Sequence, residues 1–321
     1  MTMCVLVTGG SGFIGSHLVE ALLKRGALVR VLDNFATGNR RNLAAVVQRV
    51  PMQENLTCID GDITDGAAVR EAVRGVEYIL HQAALPSVQR SVEDPLTSNR
   101  VNVEGTLNIL AAAREAGVKR VIYASSSSVY GDSPQLPKVE SMATNPLSPY
   151  AVSKLAAEDY CRSFTRVYGL ETVSLRYFNV FGPRQDPGSV YAAVIPRFIE
   201  ALLDSRPPMI YGDGTQSRDF TFIENVVQAN LLALDASGVA GEAFNIACGE
   251  SVDLQSVVQL LGEFSNCNVQ PEYQAPRTGD VKHSLADISK AKRMLGYHPS
   301  VSFREGLKQT FEYFRQRRVE R

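Results

Sequence analysis

Tyr150 and Lys154 stand four residues apart in the string Leu147-Ser148-Pro149-Tyr150-Ala151-Val152-Ser153-Lys154. On a helix, positions i and i+4 share one face. A lysine ammonium so placed favours the phenolate and lowers the tyrosine pKa. Such a phenol can take a proton from a sugar or alcohol hydroxyl near neutral pH. The same spacing also occurs as plain surface decoration, so the elements around the pair have to decide.

The first of those elements opens the chain. Cys4 to Thr8 is a short apolar run, read as a buried parallel strand. Gly9-Gly10-Ser11-Gly12-Phe13-Ile14-Gly15 follows, and a helical pattern begins at Phe13. The glycines fit two spacings, GxGxxG through Gly10, Gly12 and Gly15, and GxxGxxG through Gly9, Gly12 and Gly15. Strand, glycine turn and helix form the context of a dinucleotide fingerprint. The glycines let the backbone approach a pyrophosphate seated on the positive end of the helix. Asp33 closes the second strand, where a carboxylate binds the adenosine ribose and repels a 2′-phosphate. This favours NAD over NADP, although Arg40 and Arg41 follow and could hold a phosphate.

Composition narrows the class. A chain of 321 residues suits two domains or one large α/β unit. Its formal charge of −1 argues against a nucleic-acid or membrane-surface protein. Cys4, Cys58, Cys161, Cys248 and Cys267 are scattered, without a CxxC pair, which predicts free thiols, no metal site and a cytoplasmic setting. No signal peptide or long apolar span is read. Helices are expected over 39–47, 65–74, 95–116 and 148–168, alternating with strands over 56–60, 77–81, 119–125 and 171–177. That alternation predicts a doubly wound parallel sheet, a Rossmann NAD-binding domain over 1–178. A smaller mixed α/β substrate domain is expected over 179–321, with runs at 218–222 and 243–247 as candidates to return to the first.

Together these motifs resemble the extended short-chain dehydrogenase/reductases of the nucleotide-sugar epimerase type. The resemblance covers essentially the whole chain. It runs through Thr8 to Gly15, Asp62-Ile63, His81 to Ala84, Asn102 to Thr106, Ser125 to Gly131, Tyr150 to Lys154, Arg176 to Asn179, Arg218-Asp219-Phe220 and Arg277 to Asp280. Within the family, the chain resembles the bacterial UDP-N-acetylglucosamine 4-epimerases.

The resemblance implies a cofactor site of Gly9, Gly12, Phe13, Ile14 and Gly15, with Asp33 and Asn34 at the second strand end. Asp62 would bond the adenine and Ile63 pack on its face. Ala83 and Ala84 would leave room beside the cofactor. Asn102, Tyr150, Lys154 and Tyr177 would complete the site, Lys154 also binding the nicotinamide ribose. For Asn102, a buried amide stitching backbone is the other reading. Ser126 matches the catalytic Ser/Thr, its hydroxyl bridging substrate and Tyr150, with Ser127 and Ser128 in support. Asn179, Arg218 and Arg277 would hold the nucleotide diphosphate, Arg being suited to bidentate phosphate contacts. Tyr191 to Pro196, Val194 among them, and Ile210-Tyr211 would flank the uracil. Asp280 closes the Arg-x-Gly-Asp motif. Ser284, seven residues after Arg277, would leave space for a C2 acetamido group that a tyrosine there would fill.

Serines stand where sugar 4,6-dehydratases carry an Asp-Glu pair, so oxidation and reduction at one carbon remain. The expectation is a UDP-hexose 4-epimerase with bound NAD that forms a transient 4-keto sugar and acts as a homodimer. Its substrate is UDP-GlcNAc/UDP-GalNAc or the non-acetylated pair. A dehydrogenase that releases NADH and a non-catalytic NAD-binding regulator are the alternatives from other classes.

Overall fold

The computed structural model describes residues 2–50, 53–186, 193–266, 270–275 and 282–319. The chain starts with β1 (Cys4–Thr8), α1 (Phe13–Lys24), β2 (Leu28–Asp33), α2 (Arg40–Arg49), β3 (Leu56–Asp60), α3 (Gly66–Val73) and β4 (Tyr78–His81). Next come α4 (Val88–Glu93), α5 (Pro95–Asn99), α6 (Gly105–Glu115), β5 (Arg120–Ser126), α7 (Pro149–Tyr168) and β6 (Glu171–Tyr177). β7 (Val180–Phe181), α8 (Val194–Leu203), β8 (Met209–Tyr211), β9 (Ser217–Arg218), β10 (Thr221–Phe222), α9 (Ile223–Asp235) and β11 (Glu242–Ile246) follow. The remainder is β12 (Val252–Asp253), α10 (Leu254–Ser265), β13 (Glu272–Gln274), α11 (Ser289–Leu295) and α12 (Phe303–Val319).

Seven parallel strands form the central sheet in the order β3-β2-β1-β4-β5-β6-β11. Alternation along each strand builds two cores. Val5, Val7 and Val31 face one side, with Leu18 and Leu22 of α1 and Val226 of α9. Leu6, Ile79 and Val121 face the other, with Val69 of α3 and Ile109 of α6. The order reverses between β1 and β4, which opens the crevice at the strand ends where such sheets bind ligands. The run 243–247 lies mostly in β11, paired with β6. The run 218–222 stays outside the sheet, where β9 pairs with β12 and β10 with β7. No helix among the described residues is long and apolar enough to cross a membrane.

The helix expected over 95–116 runs from Pro95 to Glu115 with one irregular stretch inside it. A π-helical segment, Arg100–Glu104, separates α5 from α6. Within it stands Asn102, whose side chain bonds both the N–H and the carbonyl of Leu85. Long-range pairing of this kind leaves no trace in local periodicity.

Candidate active site

Sterics explain the glycine loop between β1 and α1. A Cβ on Gly15 would lie 2.1 Å from the Gly9 carbonyl oxygen, and one on Gly9 would lie 2.8 Å from the Ala83 nitrogen. Gly9 also has φ +69°, a conformation costly for other residues. No side chain caps α1 at Gly12, so its first-turn N–H groups face the loop as anion donors. The Ser11 hydroxyl is buried and has no protein partner. At the end of β2 the Asp33 carboxylate accepts the Ser11 N–H at 2.9 Å and the Phe35 N–H at 2.8 Å. Asn34 donates to Asp62 at 2.7 Å. Burial works against ionisation of Asp62, yet bonds from Thr64 and Asn34 hold its carboxyl below the usual range. Arg40 pairs with Asp60 at the surface and lies over the Phe35 ring at 3.6 Å. Ile63 is buried against Gly105. An uncapped helix start, a glycine cradle and a fixed carboxylate fit NAD: the loop would take its pyrophosphate and Asp33 its adenosine ribose.

Tyr150 and Lys154 occupy the first turns of α7, which starts at Ser148 with its hydroxyl accepting the Ala151 N–H, then Pro149. The phenol does not have the lowered pKa that the spacing predicts. Burial raises it, and the Ser126 hydroxyl is the group that opposes the rise. The reason is where Lys154 points: its ammonium donates to the Ala124 carbonyl at 2.8 Å and lies 6.0 Å from the Tyr150 ring centroid. Burial also pulls Lys154 down to about 8. Ser126 ends β5 and accepts the N–H and hydroxyl of Ser128 at 3.2 and 2.9 Å.

Two residues read as cofactor ligands have their polar atoms engaged elsewhere. Asn102 spends its amide on Leu85 and on Ser153, the latter at 3.0 Å, so the stitching reading describes it. Tyr177 has its hydroxyl in a network with Gln82 and Asn230, and burial lifts its pKa to about 12.

Other residues carry positioning that the sequence reading missed. Ser91 accepts the Tyr150 N–H at 2.9 Å. His81, fully buried, bonds Thr8 and Thr106 at 2.6 and 2.9 Å. Burial and the Lys154 charge hold it neutral, with a pKa of about 3. Thr106 donates to the Asn102 carbonyl, so it accepts from His81 Nε2–H, an assignment made from the network. Glu158 pairs with Arg176 at 2.6 Å and accepts from Ser125 at 2.7 Å, tying α7 to β5 and β6. Their i+4 and strand-end positions were visible in the sequence, but their partners were not.

On the substrate side a cavity of about 450 Å³ is lined by Asn179, Val194, Tyr211 and Arg218, with Arg197 and Arg206 as further cations. Arg218 donates to the carbonyls of Ser217 and Lys282, both at 3.0 Å. Asp219 is not its ion-pair partner: it accepts the N–H groups of Cys248, Gly249 and Ala286. Ser284 stands beside β9, its N–H donating to Ser217 at 3.0 Å. It is not among the residues lining the cavity. His283 bonds Ser217 at 2.9 Å as a structural neighbour. Tyr191, Arg277 and Asp280 lie outside the described residues. Among the described residues no cluster of His, Cys, Asp or Glu could hold a metal.

Residues 5–247 match the NAD dependent epimerase/dehydratase family. The UDP-glucose 4-epimerase of Mycolicibacterium smegmatis is 39% identical over 315 residues, covering 98% of this chain and 99% of that one. Among solved structures, the UDP-N-acetylglucosamine 4-epimerase from Methanobrevibacter ruminantium, in complex with UDP-N-acetylmuramic acid, superposes with a TM-score of 0.93. It is 41% identical, covering 99% of this chain and 100% of that one. The UDP-glucose 4-epimerase of Thermus thermophilus, complexed with NAD, gives 0.86 at 39% identity, covering 98% and 99%.

Proposed function

The chain belongs to the NAD dependent epimerase/dehydratase family and is an NAD-dependent UDP-sugar 4-epimerase; from that premise we propose that it interconverts UDP-GlcNAc and UDP-GalNAc. The choice of sugar rests on the small residue type at Ser284, which does not itself line the cavity but pairs through its backbone with Ser217, next to Arg218 of the cavity wall. The relative from Methanobrevibacter ruminantium, named for the acetylated sugar, supports it. Its counterparts in Mycolicibacterium and Thermus favour the second reading, UDP-glucose 4-epimerase.

Each residue has a part in this reading. Bound NAD supplies the redox couple that oxidises C4 and reduces it again, with no net change. Tyr150 takes the O4 proton and returns it. Ser126 holds the phenol, and Lys154, released from Ala124, would hold the nicotinamide ribose. Arg218 and Asn179, with Arg277, hold the diphosphate.

A panel of four UDP-sugars tests the proposal. Unmodified protein is expected to turn over the acetylated pair at least as fast as UDP-Glc and UDP-Gal. Ser284→Tyr is expected to suppress the acetylated pair selectively, because the ring and the acetamido group cannot share one volume. Unchanged acetyl-sugar turnover in that variant would place residue 284 away from the sugar and leave the UDP-glucose reading.

A homodimer is part of the same proposal. Val92, Leu96 and Val152 are 64%, 82% and 51% exposed on the adjacent helices α4, α5 and α7. A second copy would cover them. Leu96→Asp is expected to halve the mass measured by sedimentation; a monomer in the unmodified protein rejects the dimer. The proposed setting is a reducing cytoplasm, supported by Cys4, Cys58, Cys161 and Cys248 all being free. A disulfide in freshly isolated protein would contradict it.

A further inference from the structure

A polar row crosses the carboxyl ends of three neighbouring strands. Ser125 of β5, Arg176 of β6 and Asn245 of β11 stand in register, and all three are buried. Buried polar side chains need partners, and here the partners form one chain. Ser125 donates to Glu158 of α7 at 2.7 Å. Arg176 donates to both oxygens of Glu158, at 2.6 and 3.0 Å, and to the Tyr130 hydroxyl at 2.8 Å. Tyr130 donates to Asn245 Oδ1 at 2.7 Å. Asn245 Nδ2 donates to the carbonyls of Lys138 and Asp287 at 2.9 and 3.2 Å. The polarity of the chain is fixed by its two ends. A guanidinium only donates, so Tyr130 accepts from Arg176 and has its one proton left for Asn245. Carbonyls only accept, so the Asn245 nitrogen faces them and its oxygen faces Tyr130.

Asn245 stands where two segments cross. Residues 131–148 join the serine turn, which ends at Tyr130, to the start of α7, so this loop leads from Ser126 to Tyr150. Residues 284–287 run beside the cavity wall. The Ser284 N–H donates to the Ser217 carbonyl at 3.0 Å and the Ala286 N–H to the Asp219 carboxylate at 3.2 Å, the two neighbours of Arg218 in the chain. The segments pair at Lys138, whose N–H donates to the Leu285 carbonyl at 2.8 Å and whose carbonyl accepts the Asp287 N–H at 2.9 Å. Asn245 fastens both. Its two amide protons go one to each segment, and its backbone N–H donates to Glu140 of the loop at 2.8 Å.

We infer that Asn245 is a positioning residue that fixes the stretch 284–287 against the loop leading to Tyr150. It thereby sets the Arg218 wall of the cavity relative to the catalytic helix α7. Asn245 is not among the residues lining the cavity, so it acts through the stretch it holds. Tyr130 orients its amide, and the Glu158–Arg176 pair anchors Tyr130 to α7. A fully satisfied buried network of this kind favours one arrangement of the segments it joins.

The inference rests on the reading of this cavity as the UDP-sugar site, and its test has one arm that needs no sugar. In NAD-loaded protein, Asn245→Ala is expected to speed amide hydrogen exchange at 284–287, read by mass spectrometry, while α1 keeps its protection. The same variant is expected to raise KM for UDP-GlcNAc and UDP-Glc by roughly tenfold, the scale of one or two buried hydrogen bonds, with kcat changed far less. NAD content should hold, because β11 is the sheet edge and the glycine loop follows β1 in its middle. Tyr130→Phe is expected to act in the same direction and more weakly. It keeps the ring, the Asn245 amide and both Arg176 bonds to Glu158, and removes only the bond that orients the amide. If Asn245→Ala does not fold, Tyr130→Phe decides alone. Unmoved exchange at 284–287 overturns the junction. Faster exchange with an unmoved KM overturns the positioning role, and so does a parallel loss of NAD, kcat and thermal midpoint, which is general core damage. Failure of the sugar assignment would appear in Ser284→Tyr and leave the exchange result intact, so the two failures are distinguishable.

Discussion

Tyr150→Phe is expected to lower kcat by roughly 10²–10⁴, the usual worth of a general acid–base group, while NAD content stays near that of the unmodified protein. The change removes only the hydroxyl. The ring stays, the Ser91 bond to the Tyr150 N–H is a backbone bond, and the Ser153 hydroxyl still reaches the Tyr150 carbonyl. Helix α7 should therefore keep its place. Burial holds the phenol above its ordinary pKa, so the reactive phenolate gains population as pH rises. The acid limb of kcat/KM in the unmodified protein should climb with pH, and the residual rate of the Phe variant should lack that limb. Turnover of UDP-sugar at the unmodified rate would put the base elsewhere.

Gly15→Ala is expected to empty the protein of NAD and to lower its thermal midpoint. The new methyl would stand 2.1 Å from the Gly9 carbonyl and 2.8 Å from Gly10 Cα, both backbone atoms that cannot swing away. Overpacking of this kind costs about 1–3 kcal/mol, and the loop can relieve it only by opening the cradle for the pyrophosphate. Gly12→Ala is expected to be milder, since its methyl would meet the same carbonyl at 3.1 Å. NAD released on denaturation, read by absorbance, and a melting curve measure both effects. Retention of full NAD by Gly15→Ala would mean that the α1 start is not where the dinucleotide sits.

Patterns confined to one or two elements were legible without coordinates. The apolar run of β1, the glycines after it and Asp33 at the end of β2 lie within a single βαβ unit. The alternation of strands and helices repeats every few dozen residues, and it implies a parallel sheet because crossovers need that length. Tyr150 and Lys154 share a face because α7 is regular there. In each case the information is carried by neighbours in the chain.

Partners distant in sequence decided the rest. Lys154 turns to the carbonyl of Ala124, 30 residues away, and this is why the pair's spacing did not yield a lowered tyrosine pKa. Asn102 reaches Leu85 and Ser153, 17 and 51 residues away, from a π-helical stretch inside a helix whose extent the periodicity did predict. β11 returns to the sheet edge beside β6 after an excursion of more than 60 residues. Types and spacings of residues therefore determined which chemistry this chain can perform and which elements carry it. Packing alone decided where each proton donor points, because a buried polar group takes whichever partner the fold brings within bonding distance.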